Sequence, residues 1–239
     1  MDLVTVEELI TAGVHFGHRT KRWNPKMEKF IFGKRNGVHI IDVRQTIEYL
    51  KRAYDATVHI AEQGKGILFV GTKKQAKDII KEEANRGSIF HVTERWLGGL
   101  LTNYEILSQR VNRLREFRQM KEDGRWAMLS KKELTRMERR FTKLVKYFSG
   151  VKDMDRLPGL VYIIDIKKDL TALREAQRKN IPVVAIVDTN VDPTEITYPI
   201  PANDDSIRSI TLITRVITDA VLEGRKGFES EEEKEQNGS

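Results

Sequence analysis

Two histidines, His15 and His18, open a segment in which Arg19, Lys21, Arg22, Lys26 and Lys29 stand against a single acid, Glu28. Phe16 and Trp23 are set among them, and the run HFGHRTKRWNPKMEK keeps neither a helical nor a strand period. Cations at this density neutralise phosphates and release counterions, while exposed rings stack on bases or sugars. The chemistry on offer is nucleic-acid binding. A second reading fits the same residues: a basic surface loop whose aromatics pin it to the domain.

A further cation-plus-indole pair stands in RWLGGLLTN, where Arg95 and Trp96 precede Gly98, Gly99 and Asn103. Its glycines let a backbone approach closely. Lys73 and Lys74 follow the apolar run ILFV and offer cations and a helix N-terminus to a phosphate backbone. The candidate RNA-binding set is therefore Arg19, Lys21, Arg22, Trp23, Lys26, Lys73, Lys74, Arg95, Trp96 and Asn103. Gly66-ILFV-Gly71-Thr72-Lys73-Lys74 fails as a nucleotide phosphate loop, because an apolar strand fills the spacer and Thr precedes Lys. The dinucleotide-binding glycine pattern, the serine nucleophile elbow and a metalloprotease histidine pair are all absent. These absences count against the rival reading, a nucleotide- or metal-dependent enzyme on the same fold.

The acids suggest another kind of site. Asp188 follows the strand-like VVAIV, and Asp204-Asp205 precedes the last helical pattern. Strand C-termini of a doubly wound sheet share one edge, so Asp188 can face the start of that helix. Asp205 also reads as a helix N-cap and Asp188 as a turn residue before Asn190. A hard divalent ion, or zinc if a histidine joins, is the third reading. His39, His59 and His91 stand singly and read as core or surface histidines.

Several elements must hold these residues. Ile67 to Val70, Leu160 to Ile164 and Val183 to Val187 are apolar runs without alternation, as expected of parallel strands covered on both faces. Ser88 to Val92 is a further short strand. Helical patterns run over Thr46 to Gln63, Lys74 to Asn85, Leu170 to Lys179 and Ser206 to Leu222. Strand–helix alternation predicts an α/β doubly wound parallel sheet. Phe30 to Ile41, with Asn36-Gly37 inside it, predicts a hairpin or two short strands.

One stretch breaks the alternation. Thr102-x-x-Glu105 and Ser130-x-x-Glu133 read as capping boxes. Leu107, Val111 and Leu114 mark the first helix of this stretch, which ends near Gly124. Leu134, Met137, Phe141, Leu144 and Phe148 repeat at the 3–4 spacing of a coiled-coil seam. From Glu105 to Gly150 there are 13 Lys/Arg against 6 Asp/Glu, so the helical hairpin reads as a basic projecting arm or as a lid pair on the sheet. The expected organisation is an α/β body over 1–102 and 151–226, an inserted hairpin over 103–150, and a disordered acidic tail over 227–239.

Composition sets the bounds. The chain has 239 residues and a formal net charge of +7, which favours an acidic partner. It has no cysteine, hence no disulfide framework and no thiolate zinc site. No apolar run is long enough to span a bilayer and no signal-peptide pattern appears, which fits a cytoplasmic protein with no membrane partner.

The segments HFGHRTKRWNPKM, NGVHIIDVRQT, ILFVGTKKQA, RWLGGLLTN, NIPVVAIVDTNVDP and YPIPANDDSIRSI closely resemble those of the bacterial small-subunit ribosomal protein two family, in order, over about Val4 to Lys226. The resemblance implies a flavodoxin-like α/β domain with an inserted coiled-coil hairpin and no enzymatic activity. It implies binding to small-subunit ribosomal RNA near the junction of head and body on the solvent side, among other small-subunit proteins. It also implies help in docking the large RNA-binding protein numbered one of that subunit. Some family members hold a metal between body and arm. The corresponding positions here are His18, Asp188, Asp204 and Asp205, for one divalent ion, zinc or magnesium, with no cofactor otherwise required.

Overall fold

The computed structural model describes residues 3–237, except the side chains of residues 106, 107, 127 and 231–237. The chain opens with α1 (Val6–Thr11), whose Thr5 and Glu8 form a reciprocal capping box. β1 (Phe16–Arg19), β2 (Ile31–Arg35) and β3 (Val38–Ile41) make a small antiparallel sheet of order β1-β3-β2. Asn36 and Gly37 turn β2 into β3 with φ of 50° and 75°, the left-handed pair that a tight hairpin needs. The start of the basic loop is thus a strand, held to β3 although its own residues carry no strand period.

The chain continues through α2 (Val43–Glu62), β4 (Ile67–Val70), α3 (Lys77–Arg86), β5 (Phe90–Val92), α4 (Tyr104–Glu122), α5 (Lys131–Phe148), β6 (Leu160–Ile163), α6 (Leu170–Arg178), β7 (Val183–Val187), β8 (Tyr198–Pro201) and α7 (Ile207–Asn237). The last five strands form one parallel sheet of order β5-β4-β6-β7-β8. Counted within the sheet this is 2-1-3-4-5, the order of a flavodoxin-like doubly wound fold.

Alternate strand residues feed two cores. Leu68, Val70, Val161, Ile163, Val183 and Ala185 pack on one face with Ala172, Leu173 and Ala176 of α6. Ile67, Phe69, Leu160, Tyr162, Val184 and Ile186 pack on the other with residues of α2, α3 and α7. Both faces are dry, which is why these strands are apolar at every position. β8 escaped the sequence pattern because it reads YPIP. Proline is tolerated there because β8 is an edge strand, paired only with β7.

α4 and α5 pack on each other. Phe117, Trp126 and Phe141 meet edge to face at centroid distances of 6.0–6.5 Å near the far end. Gly124, at φ 79°, closes α4, and the capping box of Ser130 and Glu133 opens α5. The expected box at Thr102 does not form. Asn103 is the N-cap and makes no side-chain cap, and the Thr102 hydroxyl donates to Glu175 instead. Where α5 returns, Gly150 lies against β5 so closely that a Cβ there would overlap the His91 carbonyl oxygen.

α7 corrects the reading of the C-terminus. It runs to Asn237, well past Leu222, so the expected disordered tail over 227–239 is helical as far as Asn237; residues 238–239 lie outside the described set. Phe228 lies against Gly64, which carries the packing beyond the periodic stretch. Glu and Lys, which dominate the following residues, are good helix formers and extend it.

Candidate functional site

Four loops at the C-terminal edge of the parallel sheet bring charges together. β4 leads to Lys73, β6 to Asp165, β7 to Asp188, and β8 to Asp204 and Asp205; β1 adds His18. The His18 backbone N–H donates to Asp188 Oδ1 at 3.1 Å and to Thr189 Oγ1 at 2.8 Å, fixing the small sheet to the end of β7. His18 Nδ1 lies 2.9 Å from Asp188 Oδ1, and Nε2 lies 3.4 Å from Asp205 Oδ2. With a carboxylate facing each ring nitrogen, the imidazole is held above its usual range, first by the hydrogen bond to Asp188 and against the penalty of burial.

Lys73 supplies the second cation. Its Nζ lies 2.8 Å from Asp204, 2.6 Å from Asp205 and 3.2 Å from Asp165. Burial alone would push this amine down, but the surrounding carboxylates outweigh it and hold the amine above its usual range. Asp204 is buried, and burial followed by the charge of Asp188 pushes it up to about 7, with Lys73 opposing.

His18, Asp188 and Asp204 each bring a ligand atom within 4.8 Å of the others. Ligands on a tetrahedral zinc stand roughly 3.4 Å apart, so a modest contraction fits this set to a divalent ion. One imidazole with carboxylates is chemistry that zinc accepts, and carboxylates alone suit magnesium. Asp205 is half exposed, at the rim. It is not the N-cap of α7. Asn203 Oδ1 accepts the Asp205 and Ser206 N–H groups, and Ser206 Oγ accepts from Ser209, which leaves the Asp205 carboxylate free for Lys73 and His18.

The RNA-binding candidates separate into two groups. Arg19, Lys21, Arg22, Lys74, Arg95 and Asn103 are exposed. Trp23 is exposed on one side and packs on His39 at 5.1 Å on the other. Lys26 is exposed and pairs with Asp192. Two of the expected residues are not presented to solvent. Lys73 is enclosed by carboxylates rather than presented to solvent. Trp96 is buried, and its indole N–H donates to Glu175, so its ring is not a stacking surface.

Glu175 is a residue that sequence reasoning missed. Its buried carboxylate accepts from Trp96 Nε1, from the N–H groups of Gly99, Leu101 and Thr102, and from the Thr102 hydroxyl. Burial pushes its carboxyl up, but the Trp96 indole and the three backbone N–H donors outweigh burial and hold it below the usual range. The available signal was an acid on the face of α6 that also carries Ala172 and Ala176. Asp165 was also missed, although it follows its strand just as Asp188 does.

Compared with known families, residues 9–224 match the family model described as Ribosomal protein S2.

Proposed function

This chain belongs to the ribosomal protein S2 family, structural proteins of the small ribosomal subunit that serve translation without being enzymes, and from that premise we infer that it binds small-subunit ribosomal RNA through two cationic surfaces. The family places it in the ribosome and so in the cytoplasm, and no described helix is long and apolar enough to cross a membrane. The first surface is the β1 loop with Arg19, Lys21 and Arg22. The second is the outer face of α5. The observation that carries the reading is that Lys131, Lys132, Arg136, Arg139, Arg140 and Lys143 line one shallow groove on α5. The only ion pairs of residues 103–150 among the described residues are Arg125 with Asp123 and, at 3.9 Å, Lys146 with Glu94. Six cations without acidic partners along about 18 Å of helix suit a phosphate backbone.

In this reading residues 103–150 form a coiled-coil arm inserted into an α/β body of 1–102 and 151–226. Phe16, Trp23 and Phe32 are exposed on or beside the small sheet. We assign Phe16 and Phe32 to the docking of the large RNA-binding protein numbered one, while Trp23 stays with the RNA-binding loop. His18, Asp188 and Asp204, with Asp205 at the rim, would hold one divalent ion, zinc or magnesium; RNA binding does not depend on it.

Cofractionation tests the main reading. The protein should sediment with small subunits at moderate salt and be released as salt rises. Protein that stays in the supernatant at low salt, with intact subunits present, would defeat it.

A further inference from the structure

We propose that Lys73 is a tethered counter-ion that competes with a divalent cation for the acid cluster, so that this one side chain sets how far the join between the small sheet and the body depends on metal. The inference rests on the metal reading above and goes beyond it, because it concerns the cluster's own cation.

Asp204 is a member of the candidate ligand set and is also gripped by Lys73 at 2.8 Å. Asp205, the rim acid, is gripped at 2.6 Å. Lys73 holds Oδ1 of each acid, and a metal ion drawing on the same carboxylates would sit a few ångströms from the ammonium, where two cations in a largely desolvated site repel strongly. Ion and lysine therefore compete for the cluster. Lys73 stands in the loop between β4 and α3 and reaches the acids on a flexible four-carbon stem that retains some solvent exposure, so it can withdraw without moving a strand.

Asp165 separates the two occupants. It lies 3.2 Å from Lys73 Nζ but is not among the three residues whose ligand atoms converge. Its other oxygen accepts the Lys168 N–H at 3.0 Å, a bond that an asparagine retains. Asp165 holds the competitor and not the metal.

The test measures zinc binding to the purified full chain by calorimetry, alongside melting temperature with zinc and with chelator. Lys73→Met keeps the stem and removes the charge. Its zinc affinity should rise by at least about tenfold over the wild type, and its melt should become strongly zinc-dependent. Asp165→Asn should raise zinc affinity by a smaller factor, and it stands in for Lys73→Met if that variant folds neither with zinc nor without. Folding of Lys73→Met only when zinc is present supports the proposal. Wild-type binding that neither variant strengthens overturns it and leaves the metal reading standing. Binding by a variant but not by the wild type supports it and removes the metal from the native protein. No binding by wild type or variants overturns both.

Discussion

The Trp96 indole N–H lies 3.0 Å from Oε1 of Glu175, and both side chains are buried. Oε1 also takes the Gly99 N–H, while Oε2 takes the donors of Leu101 and Thr102. The loop that leads into α4 is thus wrapped on one carboxylate. Glu175→Gln would turn an amide NH2 group toward one set of donors and cost about 2–4 kcal/mol at neutral pH. Because the donors hold the carboxyl below the usual 4.5, its stabilisation is complete above that value and is lost as pH falls through the lower folded value. Denaturant melts should show the gap between wild type and variant narrowing as the solution is made acidic. A gap that widens in acid would contradict this account.

The basic loop has a direct electrostatic test. Replacing Arg19, Lys21 and Arg22 together by Ala should weaken RNA binding. It should also flatten the salt dependence by about 0.7–0.9 log units per log unit of salt for each lost phosphate contact. Filter binding across a salt series measures the slope. A folded triple variant with the wild-type slope would take this loop off the RNA.

The arm has its own. Phe141→Asp puts a charge beside Trp126 and Phe117 and should cost several kcal/mol locally, roughly the scale of burying an unpaired charge. Limited proteolysis should then cut between about Asn103 and Gly150 while the body stays protected. Global unfolding would show that the α/β body depends on the arm.

For the acid cluster, the metal reading expects about one equivalent of ion in purified protein by elemental analysis, the ion being lost in His18→Ala. Chelator should lower the melting temperature of the wild type and leave the variant unmoved. A chelator-insensitive melt of metal-free wild type would leave Lys73 and His18 as the cluster's only cations.

Elements whose own residues settle their state were legible in the sequence. β4, β6 and β7 are apolar at every position, Asn36-Gly37 can form only a few turns, and Ser130 with Glu133 caps α5 as its spacing predicts. β1 and β8 were not legible, since one is set by its pairing with β3 and the other hides behind two prolines that only an edge position tolerates. The site residues divide the same way. Asp188, Asp204 and His18 could be placed because strand ends converge at one edge of a doubly wound sheet. The enclosure of Lys73 and the burial of Trp96 were not legible, because residue type does not say which way a side chain turns. A lysine in a basic run points to phosphate until three carboxylates are found around it, and an indole points to stacking until a buried glutamate is found beneath it.

Gly150 carries a mechanical consequence. It lets the end of α5 rest directly on the backbone of β5, where a Cβ would meet the His91 carbonyl. α5 has 18 residues and so runs about 27 Å from that root. A displacement of about 1 Å across the last turn becomes a swing of roughly 5 Å at the opposite end, by simple proportion over the 5.4 Å pitch. The glycine is the fulcrum of a lever, and the position of Lys131 and Lys132 is sensitive to backbone packing at the far end of the helix that carries them.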